Sequence, residues 1–591
     1  MKKYILILLF LVPLISQGAT YYVKNGGNDS SAGTSDGTAW AYCPGMASWT
    51  GTATIAAGDS VLFNRGDTWR LQVINSPNGT AGNYVYYGAY GSGNKPIFMG
   101  SKEENATGDW EDRGGNIWRN SDAMFADYEV GNIVFNNDTC GRRIMSATPT
   151  MTSQGDWYYN LTGRYVEVYS VSNPATYYTD IECCIADNLT TGVSFDAIYR
   201  EVLSYSIFQN LRFIYWGSFG CYMLNGSNHN QFLNLEMEYI GGDDMSDNYV
   251  TRYGNGITCW HNASYITVDG CKISQVFDSG ISPQGGSTVP QYDVNVWYIR
   301  NNIITKCEIA FEYFYTTPNT ADSILFENNT CVNSGYGWSH NQRTVNFGCD
   351  VRIGNNTATT TNVIIRNNIF YNQEYKAYHF TTAADTDDVT INYNCVLKGT
   401  AGGTYYLRAG STTYSTYAAY HAATGFDQNV INSDPLFISF ATEDFHLQSA
   451  SPVRGQGQDL TIATDYDGET WLSPPSMGAL EYIAENPAVV PVIETSISPY
   501  YRTHNSAVGK GNVTSDGGGT ITARGICWST SANPTISDSH THDGTGTGAF
   551  TSRITGLKAF TTYYFRAYAT NAAGTAYGAN KTMKRSIMVT R

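Results

Sequence analysis

Ile299-Arg300-Asn301-Asn302-Ile303-Ile304 returns as Phe326-Glu327-Asn328-Asn329-Thr330-Cys331 and again as Ile365-Arg366-Asn367-Asn368-Ile369-Phe370. Looser copies stand at 207–213, 232–237, 268–273 and 391–396. In each, apolar and polar residues alternate and then break at Asn, Gly or Tyr. The break falls at positions 210, 234, 270, 301, 328, 367 and 393, with gaps of 24, 36, 31, 27, 39 and 26. A floor near the shortest gap with longer excursions describes one structural unit carrying variable loops. Two or three short strands per unit cannot bury their apolar faces alone, so units must stack. Asn and Gly tolerate left-handed backbone at the corners, and stacked Asn side chains bond along a ladder. Leu is scarce and no helical half accompanies the strands, which disfavours a leucine-rich repeat. The pattern predicts an all-β chain built on a right-handed parallel β-helix.

Composition agrees. Of 591 residues, 45 are Tyr and 59 are Gly, while only 15% are charged. Such a chain favours strands and turns over helices and is long enough for more than one domain. The net charge of −16 argues against a nucleic-acid partner. It is not uniform, since 487–591 holds ten Lys/Arg against four Asp/Glu and leaves the preceding body strongly acidic.

Lys2 and Lys3 precede an apolar run over 4–15, and small residues follow at 16–19. This predicts a secretory signal at 1–18 and a secreted, periplasmic or cell-surface protein without a membrane span. Export permits disulfides, yet the 12 Cys show no CxxC pair. Several sit inside apolar runs, which suits buried small hydrophobes.

The flanks resemble known sequences. YYVKNGGNDSSAGTSDGTAW at 21–40, GDSVLFNRGDTWR at 58–70 and GNYVYYGAYGSGNKPIFMG at 82–100 look like the opening of secreted, pectate-lyase-like β-helix proteins. The segment 444–482 is similar to the stretch that closes such helices. Strand-like runs at 115–119, 131–135, 157–160 and 164–170 look like the small antiparallel β-domain inserted near the start of some β-helix glycosidases, and 489–583 resembles a fibronectin type III-like sandwich. The resemblance implies this order: 19–105 as β-helix start and cap, 106–180 as the insert, 181–485 as the repeats, and then the sandwich. It also implies a carbohydrate-active protein, hydrolase or lyase, with a polysaccharide or oligosaccharide as its partner. A monomer is expected.

Aligning neighbouring units sets 254–258 above 278–282 and 308–312. Ile257, Ile281 and Phe311 then form an inward column, extended by Cys221. Gly220, Gly256, Gly280 and Ala310 form a small column that alternation turns outward, as the floor of a groove. Asp278, Glu308 and Glu312 flank it. Glycoside hydrolysis needs one protonated and one ionised carboxyl at a spacing that fixes the stereochemistry, so Asp278 and Glu312 are the predicted pair, with Glu308 as substitute. Solvated surface acids are the plainer reading. Arg252, His261, Lys306 and Arg352 offer hydrogen bonds to a sugar, and Tyr313 and Trp338 offer stacking faces. Asp243, Asp244 and Asp247 could supply oxygen ligands to Ca²⁺, though EF-hand spacing is missing and a solvated loop is the simpler account. Hydrolysis itself requires no cofactor. Two other functions stay open: a uronate lyase using a basic residue, Lys306 or Arg352, with Ca²⁺ assistance, and a non-catalytic glycan-binding scaffold or adhesin.

Overall fold

The computed structural model describes residues 18–584 except 189–194, 245–248, 250, 261–262, 286–293, 317–319, 343–347, 357–358, 388, 399–404, 461, 483–488, 497–499, 504 and 518. The signal-like run at 1–17 therefore lies outside the described residues. The chain forms two units, Met1–Tyr482 and Ile483–Arg591.

Long parallel sheets dominate the first unit. Sheet I has ten strands, from Thr20–Val23 to Val389–Asn392. Sheet II has nine, from Thr68–Arg70 to Cys395–Leu397, and sheet III has nine, from Ile198–Arg200 to Thr412–Tyr414. From residue 206 onward the chain visits I, II and III in turn and repeats the circuit. One such coil is Ile266–Asp269, Lys272–Val276, Ser279–Gly285; the next is Val294–Arg300, Ile303–Thr305, Ile309–Thr316. This winding matches that expected of a parallel β-helix. Apolar side chains from all three sheets fill one continuous core, including Phe208, Phe232, Val268, Ile299, Phe326 and Ile365.

The punctuating residues make the corners. Asn210, Asn234, Gly270, Asn301, Asn328, Asn367 and Tyr393 all have positive φ, between 48° and 65°. Asn is tolerated there because its short polar side chain bonds locally. The residue after each of the last four corners is a buried Asn, and these stack. The Nδ2 of Asn302 donates to Asn329 Oδ1 at 2.9 Å, Asn329 to Asn368 at 3.1 Å and Asn368 to Asn394 at 3.0 Å. Asn394 then donates to Asp427 Oδ1 at 2.9 Å. Asp427 also accepts from the hydroxyls of Tyr378 and Tyr420, the latter on the helix Tyr417–Thr424. The ladder thus ends in a side-chain plug.

Between Ile97–Met99 and Ile198–Arg200 the chain builds two four-stranded antiparallel sheets, running from Ser101 to Asn188. Trp110, Phe125, Ile133, Trp157, Tyr159 and Val168 form a core of their own. The second unit carries two antiparallel sheets around Ile493, Val513, Ile526, Phe550 and Phe565. All twelve Cys are free and eleven are buried, with Cys140 partly so, as expected of small hydrophobes. No helix among the described residues is long and apolar enough to cross a membrane.

Candidate active site

The register of the aligned segments is the expected one. Cys221 pairs with Ile257, Ile257 with Ile281, Ser279 with Ile309, and Ile281 with Phe311. The facing of the small column is not. A Cβ on Gly220 would strike Met237 Sδ, one on Gly256 would meet Ile273 Cγ2, and one on Gly280 would sit 2.8 Å from Ile304 Cγ2. Ala310 belongs to the same core. The column therefore faces inward, and these residues are small because sheet II side chains close on them. Strict alternation fails here because the chain is bending from sheet II into sheet III, so two consecutive residues on each coil turn inward. The small column is not a groove floor.

What faces outward is a ladder along sheet III. Tyr222 pairs with Thr258, Thr258 with Ser282, Glu312 with Arg352, Arg352 with His379, and His379 with Arg408. Glu312, a carboxylate in this ladder, is only 3% exposed. It forms an ion pair with Arg352. It also accepts from Ser279 Oγ at 2.9 Å, Gln284 Nε2 at 2.9 Å and Ser282 Oγ at 3.3 Å. Every one of these partners is a donor.

Asp278 and Glu308 lie one coil apart at the turn into sheet III. Ile309 N donates to Asp278 O at 3.1 Å, and Cys349 N repeats the contact to Glu308 O at 3.1 Å. The Glu308 carboxylate is fully buried, accepts from Gly348 N at 2.9 Å and faces His340 Nδ1 at 3.3 Å. His340 Nε2 lies 3.7 Å from Glu374. Arg352 links the set electrostatically: Glu312 and Asp278 both raise its pKa against the effect of burial.

Described residues of two segments between sheets II and III, 241–244 with 251–256 and 333–342 with Gly348, flank this turn. Arg252 ties them together. Its Nη1 donates to Gln342 Oε1 and its Nε to Gly242 O, each at 2.7 Å, while Nη2 reaches Gly131 O at 2.7 Å. Its guanidinium lies 4.5 Å from the Phe277 ring centroid and 5.5 Å from that of Trp338. Arg252 is only 4% exposed, so it braces the loops beside Asp278 instead of reaching for a sugar. Trp338 donates its Nε1 to Gln275 O at 2.9 Å and is half-buried in the same cluster.

The remaining predicted residues fall elsewhere. Tyr313 is fully buried in the core, because it shares the inward face with Phe311 while Glu312 turns out. It cannot stack on a sugar. Lys306 pairs with Glu443 at 2.8 Å, beside Lys272, at the end of a sheet II strand and away from the outward face of sheet III. His261 and Asp247 lie outside the described residues. Asp244 is buried and accepts from Tyr249 N at 2.7 Å. Burial, with Asp187 next, pushes the Asp243 carboxyl far above the usual range, and Asp187 is its hydrogen-bond partner. Among the described residues, no group of three or more His, Cys, Asp or Glu is placed to hold a metal.

Sequence reasoning missed Ser279 and Gln284 around Glu312, and Lys376 and Arg408 further along. Extending the alignment past Phe311 reaches Lys376 on the second coil, with Tyr378, and Arg408 on the third, with Leu407.

No protein-family model matches the chain. No curated protein matches it. Among solved structures, one described as a "Glycoside hydrolase" matches with a TM-score of 0.42 at 10% identity, covering 64% of this chain and 88% of that one.

Proposed function

We propose that the chain is a secreted glycoside hydrolase that cleaves a polysaccharide or its side-chain sugars on the outward edge of sheet III. One observation carries this reading. Asp278, Glu308 and Glu312 come from two adjacent coils held in register, and Glu312 and Asp278 both act electrostatically on Arg352. Hydrolysis needs a proton donor and an ionised carboxylate on one site. Glu312, surrounded by donors, is the ionised member. It receives a proton from the attacking water as that oxygen bonds to the anomeric carbon. Asp278 gives its proton to the glycosidic oxygen as the carbon–oxygen bond breaks. Glu308, held by Gly348 and His340, positions the turn. No metal enters this scheme.

The test is incubation with neutral and uronate glycans. Reducing sugar without an unsaturated product supports hydrolysis. Ultraviolet absorbance from an unsaturated uronate would replace it with β-elimination. No cleavage of any glycan leaves a binding scaffold.

A further inference from the structure

Sheet II turns a second apolar row outward. Ile303, Val332 and Ile369, on three successive coils, are covered by Phe445, Leu447 and Met477. The covering segment follows the last coil and returns along the stack. Corner residues of three coils hold it. Asn367 Nδ2 donates to Gln458 O at 2.8 Å, Asn328 Nδ2 to Gly478 O at 3.2 Å and Asn301 Nδ2 to Thr464 O at 3.1 Å. The segment is a strap over the outer face of sheet II.

One fastening of the strap carries an imidazole. His446 lies on the strand Asp444–Leu447, two residues from Asp444 and so on the same face. Its Nδ1 is 2.6 Å from Asp444 Oδ1 and its Nε2 is 2.8 Å from Asp467 Oδ2. A carboxylate only accepts, so both ring nitrogens must donate, and only the imidazolium has two N–H groups. The ring thus bridges this strand to the turn at 465–469 as a cation between two anions. Backbone bonds set the turn: Asp465 Oδ1 accepts from Asp467 N at 3.0 Å and from Glu469 N at 2.8 Å. A cavity of about 300 Å³, lined by Ile303, Phe445 and Leu480 as well as His446 and Asp467, borders the bridge. The bridge therefore stands at the edge of the apolar row that the strap covers.

The other titratable groups around the ring are few. Glu443 and Asp444 share its hairpin, and Asp465, Tyr466, Asp467 and Glu469 form the turn. Lys272 and Lys306 of sheet II pair with Glu443. Among these side-chain types, imidazole is the one that ordinarily changes charge between about pH 5 and 8. Burial lowers the His446 pKa, but hydrogen bonds to Asp444 and Asp467 outweigh it and raise the value above the ordinary one. Burial raises the Asp465 carboxyl too, and the variants below separate the two.

We infer that His446 is a pH-sensitive clasp, which fastens the strap while protonated and loosens it as pH rises. A pKa raised by folding gives stability that is complete below the unfolded value of about 6.5 and is lost as pH climbs through the folded one. Loss of the proton leaves one ring nitrogen as an acceptor facing a carboxylate. The strand and the turn then lose their tie, while the coils beneath keep theirs. The clasp does not depend on the hydrolase reading.

The test follows the full chain by NMR. The His446 ring is titrated, and amide protection, corrected for intrinsic exchange, is compared at pH 6 and pH 9. The ring is expected to titrate above about 6.5. Protection at 444–447 and 465–469 should fall about threefold across that range, the size of one exposed ion pair. Protection at 299–304 should hold. The fall should disappear in His446→Gln, and in Asp467→Asn the ring should titrate at a lower pH than in the parent chain. A ring titrating at or below about 6.5 overturns the proposal. So does equal protection at the two pH values, a fall that persists in His446→Gln, or a fall of the same size at 299–304. Should His446→Gln fail to fold, the ring titrations of the parent chain and of Asp467→Asn decide.

Discussion

Arg352 and Glu312 are ion-paired across adjacent coils of sheet III, each on the outward face and each largely buried. Removing one partner of a buried pair leaves the other uncompensated, at a cost of about 3–5 kcal/mol. Arg352→Met is therefore expected to lower the thermal midpoint sharply. Adding Glu312→Gln to it should recover part of the loss. A double variant as unstable as the sum of the two singles would mean that the pair is not coupled.

Asp278→Asn and Glu312→Gln should each reduce reducing-sugar release by a factor of about 100 or more, since each removes one proton-transfer partner; Glu312→Gln also leaves Arg352 uncompensated and lowers the thermal midpoint, so its rate is compared well below that midpoint. Glu308→Gln should act more weakly. Full activity in either of the first two variants would strike that residue from the mechanism.

Gly280 distinguishes an inward column from a groove floor. In Gly280→Ala the new methyl meets Ile304 Cγ2 at 2.8 Å and Ala310 O at 2.9 Å. Overpacking of that kind costs about 1–3 kcal/mol, readable as a lower denaturation midpoint. An outward-facing site would tolerate Ala with almost no change.

Asn329 both donates to Asn368 and accepts from Asn302. Asn329→Leu strips partners from the Asn302 N–H and the Ile299 carbonyl. Each buried group left unpaired costs about 1–3 kcal/mol. Amide exchange is expected to accelerate first at Asn302 and its neighbours, before the distant coils respond.

Burial, then Lys376, Arg352 and Arg408, hold the His379 pKa at about 3, which gives a pH signature. The unfolded chain protonates this ring below its ordinary value of about 6.5. Through the window from there down to about 3 the unfolded state binds more protons, so stability falls as pH falls. His379→Gln should flatten that part of the stability profile. An unchanged slope would show that other groups set the acid limit.

Much of this architecture was legible beforehand. The Asn-Asn phrases marked the corners, and aligning 254–258, 278–282 and 308–312 gave the observed register. Local chemistry sufficed, because corners need left-handed backbone and the core needs apolar residues at fixed intervals. The facing of Gly280 was not legible, since period-two alternation presumes a straight strand and this one bends at its start. Alternation from Phe311 puts Tyr313 inside, but Tyr313 reads, from its aromatic ring alone, as a sugar contact. Arg252 misled for another reason. Its partners Gly131, Gly242 and Gln342 are brought to it by the antiparallel sheets and two loops, and no short-range pattern predicts their meeting. The outward row of Arg352, His379 and Arg408 was encoded as plainly as the acids, but the long excursion between Glu312 and Arg352 hides its spacing.

The chain of amides from Asn302 to Asp427 sets a grammar for change in this protein. Because each rung fastens to the same atom of the rung before it, a whole coil can be added or lost and the bonds re-form one step along. A single residue gained or lost inside a strand cannot be absorbed that way. Diversification is thus channelled into two kinds of event, duplication of complete coils and growth of the loops between sheets II and III. The second kind borders the carboxylates, so the protein can alter what it grips without rewriting what holds it up.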